Sequence, residues 1–457
     1  MKQYTYSFIL LAICSIAFAG CDKYLDVKPK GKTLLTTVTD YDQWLNDPSV
    51  LAVGFGSPYI YANYFGDNVD VPSITTPPTQ VAELLYTWAP QFSTDLSAAP
   101  IFWGECYAKI NEYNTVVLGI DDATNGTKLQ KESLKAEALL GRALEYFNLV
   151  NLYGKPYDST TASKDPAVPW VTSDDVTQVV PGRSTVQEIY DHMIEDIKAA
   201  IPYLPLDNSA NRLRGSVSAG YSMLARIYFY ARDYADARKY AELCIANSRA
   251  VMIDYNSSAT IPPLLSVQPE VIYGRIVLGN ITASNEFMRT FETNDLRVKK
   301  LYRSQDGYTF TTRGYTAFVP ALVTPALQYV NTATSLPEIK LIIAECAARS
   351  GDLATALQQL DDIRKARYAT ASYVKFQSTD KDAVFQEVMK ERAHELPFCG
   401  LRFFDMRRLD KENRMAAVSR TNAQGAVVAT LQPHSTRYTL QIPVQALAYN
   451  PGMEQNP

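Results

Sequence analysis

LARIYFYARDYADARKYAELCI, residues Leu224–Ile245, has an echo in IAECAARSGDLATALQQLDDIR, residues Ile343–Arg364. Each stretch predicts a helix, a short Arg-Asp or Gly-Asp turn, and a second helix. Ala225 matches Ala344, Asp233 matches Asp352 and Ala237 matches Ala356. Small residues at those places let the two helices of a pair approach closely, the pattern of tetratricopeptide-type hairpins. Two unrelated hairpins of similar composition are the alternative. Cys244 and Cys346 fall inside the helical pattern and read as small buried thiols.

Helical periodicity extends outward from these hairpins. LQKESLKAEALLGRALEYFNLVNLYG (Leu129–Gly154) carries apolar residues at three- and four-residue steps and closes on a glycine. STVQEIYDHMIEDIKAAIPYLP opens on a Ser184 or Thr185 cap and is amphipathic to Ile201. A further helix is expected over about Ala99–Ile120, and a short one near Tyr41–Leu45. Residues 51–100 mix Gly, Pro and aromatics without a helical period and predict long loops. In 250–335, EVIYGRIVLG predicts a strand and YRSQDGYTFTTRGYTAF a hairpin or loop. The expected fold is mainly α. A hairpin platform lies mainly in 129–250 and 336–410, and loop-rich regions mainly in 51–100 and 255–335.

The chain begins with a short positive segment at Lys2, an apolar run from Phe8 to Phe18, and the small residues Ala19-Gly20 before Cys21. That is the layout of a secretory signal, too short for a bilayer span of roughly 20 residues. A cysteine just past the small residues is similar to a bacterial lipobox, although Phe18 stands where Leu is usual. An ordinary signal with an incidental cysteine is the alternative. The expectation is a signal peptide over residues 1–20, acylation of Cys21, and one domain over 21–457, with several acyl chains at about 0.8 kcal/mol per methylene as the anchor.

Composition narrows the classes of function. The net charge is −4, and no basic stripe points to nucleic acid. Cys106, Cys244, Cys346 and Cys399 are far apart, with neither a disulfide framework nor zinc-site spacing. His192, His394 and His434 are scattered, and His394-Glu395 is not part of HExxH because Phe398 takes the last place. No nucleophile elbow and no phosphate-cradling loop is present. Paired carboxylates of the glycoside-hydrolase kind are not legible in a lone sequence. The expectation is a protein that binds rather than catalyses, without cofactor or metal site.

FQEVMKERAHELPFCGLRFFDMRRLDK (Phe385–Lys411) sets Glu391, Arg392, Glu395, Arg402, Asp405 and Arg407 at helical or near-helical spacings among large apolar residues. It predicts an internally paired polar network on a packed helix–turn–helix. This motif resembles the SusD/RagB family of outer-membrane lipoproteins of Bacteroidetes. So do CDKYLDVKPKGK after the signal, KAEALLGRALEYFNLVNLYG, PEIKLIIAECAARSGDLATAL and the closing IPVQALAYNPGMEQNP. Cys399 stands where the family has an acidic residue, and Leu336-Pro337 where it has an Arg-led helix start.

The resemblance implies a surface-exposed, lipid-anchored protein of the outer membrane. Such a protein captures a nutrient, usually a glycan and sometimes a peptide, and passes it to a SusC-like TonB-dependent transporter. Sugars need aromatic rings for their C–H faces and amides or carboxylates for their hydroxyls. The residues of that kind are Tyr59, Tyr61, Tyr64, Asp67, Asn68 and Trp88, with Tyr302 and Tyr308 on a second stretch. Asp67 also matches the family's acidic loop. Trp103 lies on a predicted helix and reads as core. A bare tetratricopeptide adaptor for proteins is the remaining reading.

Overall fold

The computed structural model of the chain describes residues 35–53, 58–71, 73–259, 262, 264–278, 281–304, 316–318, 329–422 and 424–457. The expected signal peptide, Cys21 and Tyr308 lie outside them. Ten helices of eight residues or more are present among the described residues. They are α1 (Val38–Leu45), α2 (Trp103–Gly119), α3 (Lys128–Tyr153), α4 (Val186–Ala200) and α5 (Val217–Tyr230), then α6 (Tyr234–Asn247), α7 (Leu336–Ser350), α8 (Leu353–Arg367), α9 (Lys381–Glu395) and α10 (Arg402–Asp410). The fold is mainly α.

The two echoing stretches are the hairpins α5–α6 and α7–α8. Asp233 and Asp352 cap α6 and α8, each accepting a hydrogen bond from a backbone N–H three residues on. Ala225, Ala237, Ala344 and Ala356 are fully buried at the crossings. Between α2 and α3 the packing is closer still. A Cβ on Gly141 would fall 2.3 Å from the Tyr113 ring, so only glycine admits α2 there. Thr185 caps α4 through a reciprocal capping box with Glu188.

Charge is buried where the hairpins meet. Arg226 on α5 is fully buried and grips Glu338 on α7 at 2.6 and 2.7 Å. Arg408 on α10 grips Glu345 on α7 at 2.5 and 2.8 Å and Asp405 at 2.8 Å. Arg392 on α9 also binds Asp405, at 2.9 Å. These guanidinium forks match carboxylate geometry in two places at once. Although burial works against it, the pull of Arg392 and Arg408 holds the Asp405 carboxyl down at about 2. The rest of the expected internal network pairs outward: Glu391 and Glu395 meet Arg297, Arg364 and Arg367, Arg402 meets Asp67, and Arg407 donates to the Gly154 carbonyl oxygen. Burial without a carboxylate lowers Arg407 to about 9.

Half-buried Glu105 on α2 has the opposite balance. Burial, reinforced by Glu145, outweighs the help of Lys109 and lifts its carboxyl to about 7. A raised carboxyl costs the fold stability in its ionised form. That cost is absent below the unfolded value near 4.3 and complete above about 7. Glu105→Gln is therefore expected to raise the urea midpoint at pH 8 and to leave it unchanged at pH 4. Equal midpoints at pH 8 would count against this account.

Strands are short. β1 (Ala52–Val53) pairs in parallel with β4 (Ile276–Leu278), which pairs antiparallel with β8 (Tyr329–Asn331). β2 (Pro166–Pro169) pairs with β3 (Arg183–Thr185). β5 (Ile281–Thr282) and β6 (Tyr302–Ser304) flank β7 (Thr316–Phe318). β9 (Val418–Thr421) and β10 (Val427–Leu431) form a hairpin near the C-terminus. The predicted strand is β4, and β6–β7 are the arms of the predicted hairpin. Residues 51–100 hold more helix than their composition suggests: Pro58–Tyr61, a tight turn over Ala62–Phe65, and Val81–Tyr86. The last of these is fixed by a Glu83 capping box that reaches back to Thr75 and Thr79.

Candidate functional site

The loop Gly66–Asp70 follows the turn Ala62–Phe65 and leans on β5. Asp70 N–H donates to Thr282 O at 2.9 Å, and Ser284 N–H donates to Asn68 O at 3.0 Å. Asp67 is held from the other side by Arg402 at the start of α10, two hydrogen bonds of 2.6 Å each. That pair keeps the Asp67 carboxyl below its ordinary range despite burial. Gly66 keeps this folding-back close: a Cβ there would meet Asn68 Oδ1 at 2.7 Å and Arg402 Cγ at 3.2 Å and push the Asn68 side chain aside.

Loop 66–70 thereby becomes one wall of a cleft of about 820 Å³, within the size range of small-ligand sites. The short helix Asn285–Met288 and the residues after it form a second side. α9 contributes Phe385, Gln386, Met389, Lys390 and Ala393, and the segment Arg414–Thr421 closes the remaining side. Sequence reasoning missed these last three contributions entirely. Nothing in their composition separates them from ordinary surface.

The candidate residues part company here. Asp67 and Asn68 line the cleft. Asn68 is 3 % exposed, and neither its Nδ2 nor its Oδ1 has a hydrogen-bond partner. A buried amide left open on both edges is uncommon and calls for a reason. Tyr61 and Tyr64 are partly buried between two core clusters, their ring centroids 6.1 Å apart. They do not line the cleft. Of Tyr59 only the backbone is described. Tyr302 is buried against Phe291, ring centroids 5.6 Å apart, so it is core and not surface.

Trp88 requires a correction too. It is 2 % exposed and donates through Nε1 to the Phe65 carbonyl oxygen at 3.1 Å. Arg420 lies 4.3 Å over its ring and 4.2 Å over that of Tyr86. That guanidinium also donates to the carbonyl oxygens of Tyr64, Gly66 and Tyr86. The indole therefore offers no face to a sugar. It is the floor on which the cleft loop is clamped. Trp103 is core as expected, 8 % exposed.

The two carboxylates of the cleft loop are engaged. Asp67 is occupied by Arg402, and Asp70 accepts from the Tyr86 hydroxyl at 2.9 Å and the Val71 N–H at 2.8 Å. Among the described residues, no group of three or more His, Cys, Asp or Glu stands ready for a metal ion. No helix among them is long and apolar enough to cross a membrane.

Residues 23–229 match a SusD-like family described as starch-binding and associating with the outer membrane, and residues 336–457 match the SusD family. The chain belongs to the SusD family. No curated protein sequence matches it. A SusD superfamily protein of Bacteroides thetaiotaomicron superposes with a TM-score of 0.75 at 21 % identity, covering 92 % of this chain and 100 % of that one. A SusD-like carbohydrate binding protein of Bacteroides vulgatus gives 0.69 at 18 %, covering 92 % and 97 %. Surface glycan-binding protein A of Bacteroides uniformis gives 0.71 at 17 %, covering 92 % and 99 %. At such identities these likenesses establish the SusD fold alone. Residues 230–335, which supply the Ser284–Thr290 side of the cleft, fall between the two family matches.

Proposed function

We propose that this SusD-family chain is a cell-surface nutrient-binding lipoprotein. It is anchored through acyl chains on Cys21, captures a glycan, and delivers it to a SusC-like TonB-dependent transporter. The 820 Å³ cleft carries the reading, with the Asn68 amide buried and unpaired in its wall, where a small shift of the side chain would present it to a ligand. A carboxamide accepts from one sugar hydroxyl and donates to its neighbour. The hairpin platform holds that wall still, and the transporter is the partner for the helical side. Asp67 contributes by position, since its pairing with Arg402 fixes the loop.

Binding without catalysis is the chemistry these groups favour. A glycosidase needs a carboxylic acid kept protonated near neutrality beside an ionised partner. Asp67 is held ionised by Arg402, and the third lining carboxylate, Glu286, is solvent-exposed, so no acid of the cleft is set up as a buried proton donor.

A peptide is the second reading, because the same unpaired amide would pair with a peptide group. Calorimetry on the chain from Asp22 onward, titrated with neutral and acidic polysaccharides and with peptide mixtures, separates the two. Binding of one glycan class is expected, weakened about tenfold by Asn68→Ala. Peptide binding alone would move the assignment to peptide uptake. Silence toward both would leave the adaptor reading.

A further inference from the structure

The cleft is cationic in a protein that is not. Arg402 and Arg420 stand on the loop side, and Lys390, Arg414 and Arg289 on the others. The lining carboxylates are Asp67, Asp70 and Glu286. Five cations face three acids, in a chain of net charge −4.

Two of the cations share their carboxylate neighbours with other bases. Arg414 lies over the Phe385 ring at 4.5 Å. Its carboxylate neighbour Glu412, at 3.6 Å, already binds Arg349 at 2.8 Å and the Tyr234 hydroxyl at 2.6 Å. Lys390 reaches Glu292 at 3.2 Å and Glu387 at 3.5 Å, and both acids also serve Arg364. Arg414 and Lys390 stand 39 % and 30 % exposed at the mouth of the cleft. A guanidinium resting on an aromatic face is already oriented and gives up little freedom on binding an anion.

We infer that the ligand of this cleft is an anionic glycan, one bearing carboxylate or sulfate groups, met at the mouth by Lys390 and Arg414. The inference rests on the glycan reading above and narrows it. Charge-assisted hydrogen bonds to these two groups supply the preference for charged over neutral chains. Because both groups are solvent-exposed, that preference weakens with salt.

The test is calorimetry on the chain from Asp22 onward, in 50 and 300 mM salt. The probes are oligogalacturonate, its fully methyl-esterified form, dextran sulfate, dextran and maltoheptaose. Binding confined to a charged probe is expected, weakening severalfold in the higher salt and about tenfold with each of Lys390→Gln and Arg414→Gln. Oligogalacturonate identifies a carboxylate ligand and dextran sulfate a sulfated one. If the ester, dextran or maltoheptaose binds as well as the charged chains, the inference fails and the glycan reading stands. Charged-chain binding that survives the Lys390→Gln/Arg414→Gln double substitution also overturns it. If no saccharide binds, both fall. Both side chains lie outside the core, so an unchanged thermal melt shows that the variants fold.

Discussion

An Arg297→Met chain should lose about 3–5 kcal/mol of stability at pH 8, read as a lowered urea midpoint. Arg297 is fully buried beside α9, 2.6 Å from Asp295, 2.6 Å from Glu391 and 2.7 Å from Glu395. Methionine fills much of the same volume but leaves three buried carboxylates facing one another. Burial already lifts the Glu391 carboxyl above its usual range, against the pull of Arg297 and Arg364. Removing Arg297 lifts it further. A raised carboxyl costs most above its folded pKa and nothing below its unfolded one. The deficit should therefore shrink as pH falls from 8 toward 4. A deficit under about 1 kcal/mol, or one that does not vary with pH, would show that Arg364 and Arg367 neutralise the group without it.

Trp88→Ala should cost a comparable amount, about 3–5 kcal/mol, as expected for deleting a buried indole. Its backbone sits at φ +53°, just past the helix Val81–Tyr86, where glycine is the favoured residue. Packing against Arg420 and the hydrogen bond to Phe65 hold it there. Alanine keeps the strain and loses both contacts. Glycine relieves the strain and still leaves the cavity, so Trp88→Gly should be only slightly better. A thermal melt unchanged in Trp88→Ala would refute the core assignment. Binding lost together with a collapsed melt reports loss of the floor beneath loop 66–70, not a missing sugar platform.

The platform was legible because its signals are local and periodic. The hairpins announce themselves through buried alanines and Asp caps, and Thr185 through its capping box. Of the pairing expected on α9–α10 only Arg392 with Asp405 was readable; Glu391 and Glu395 instead meet Arg297, Arg364 and Arg367, and Arg402 meets Asp67, partners that no local spacing reveals. Nor does spacing reveal the partner of Arg407, a carbonyl oxygen at α3's far end. The site was legible only in Asp67 and Asn68. Its other sides come from Ser284–Thr290, Lys390 and Arg414–Thr421, brought together by long-range packing. Trp88 misled for a physical reason. An aromatic residue among Gly and Pro looks like a loop residue, and its burial depends on Arg420, more than 300 residues away. The β9–β10 hairpin that carries Arg420 was not foreseen.

The Arg226–Glu338 and Arg408–Glu345 pairs have a mechanical meaning as well. Flexing α5–α6 against α7–α8 would part Arg226 from Glu338 inside a dry core, at a cost of about 3–5 kcal/mol. Fewer than about one molecule in a hundred would be bent at any moment. The hairpin array is thus stiff, a lever and not a spring. Any large bend between the two hairpins must fall at the edges of that array.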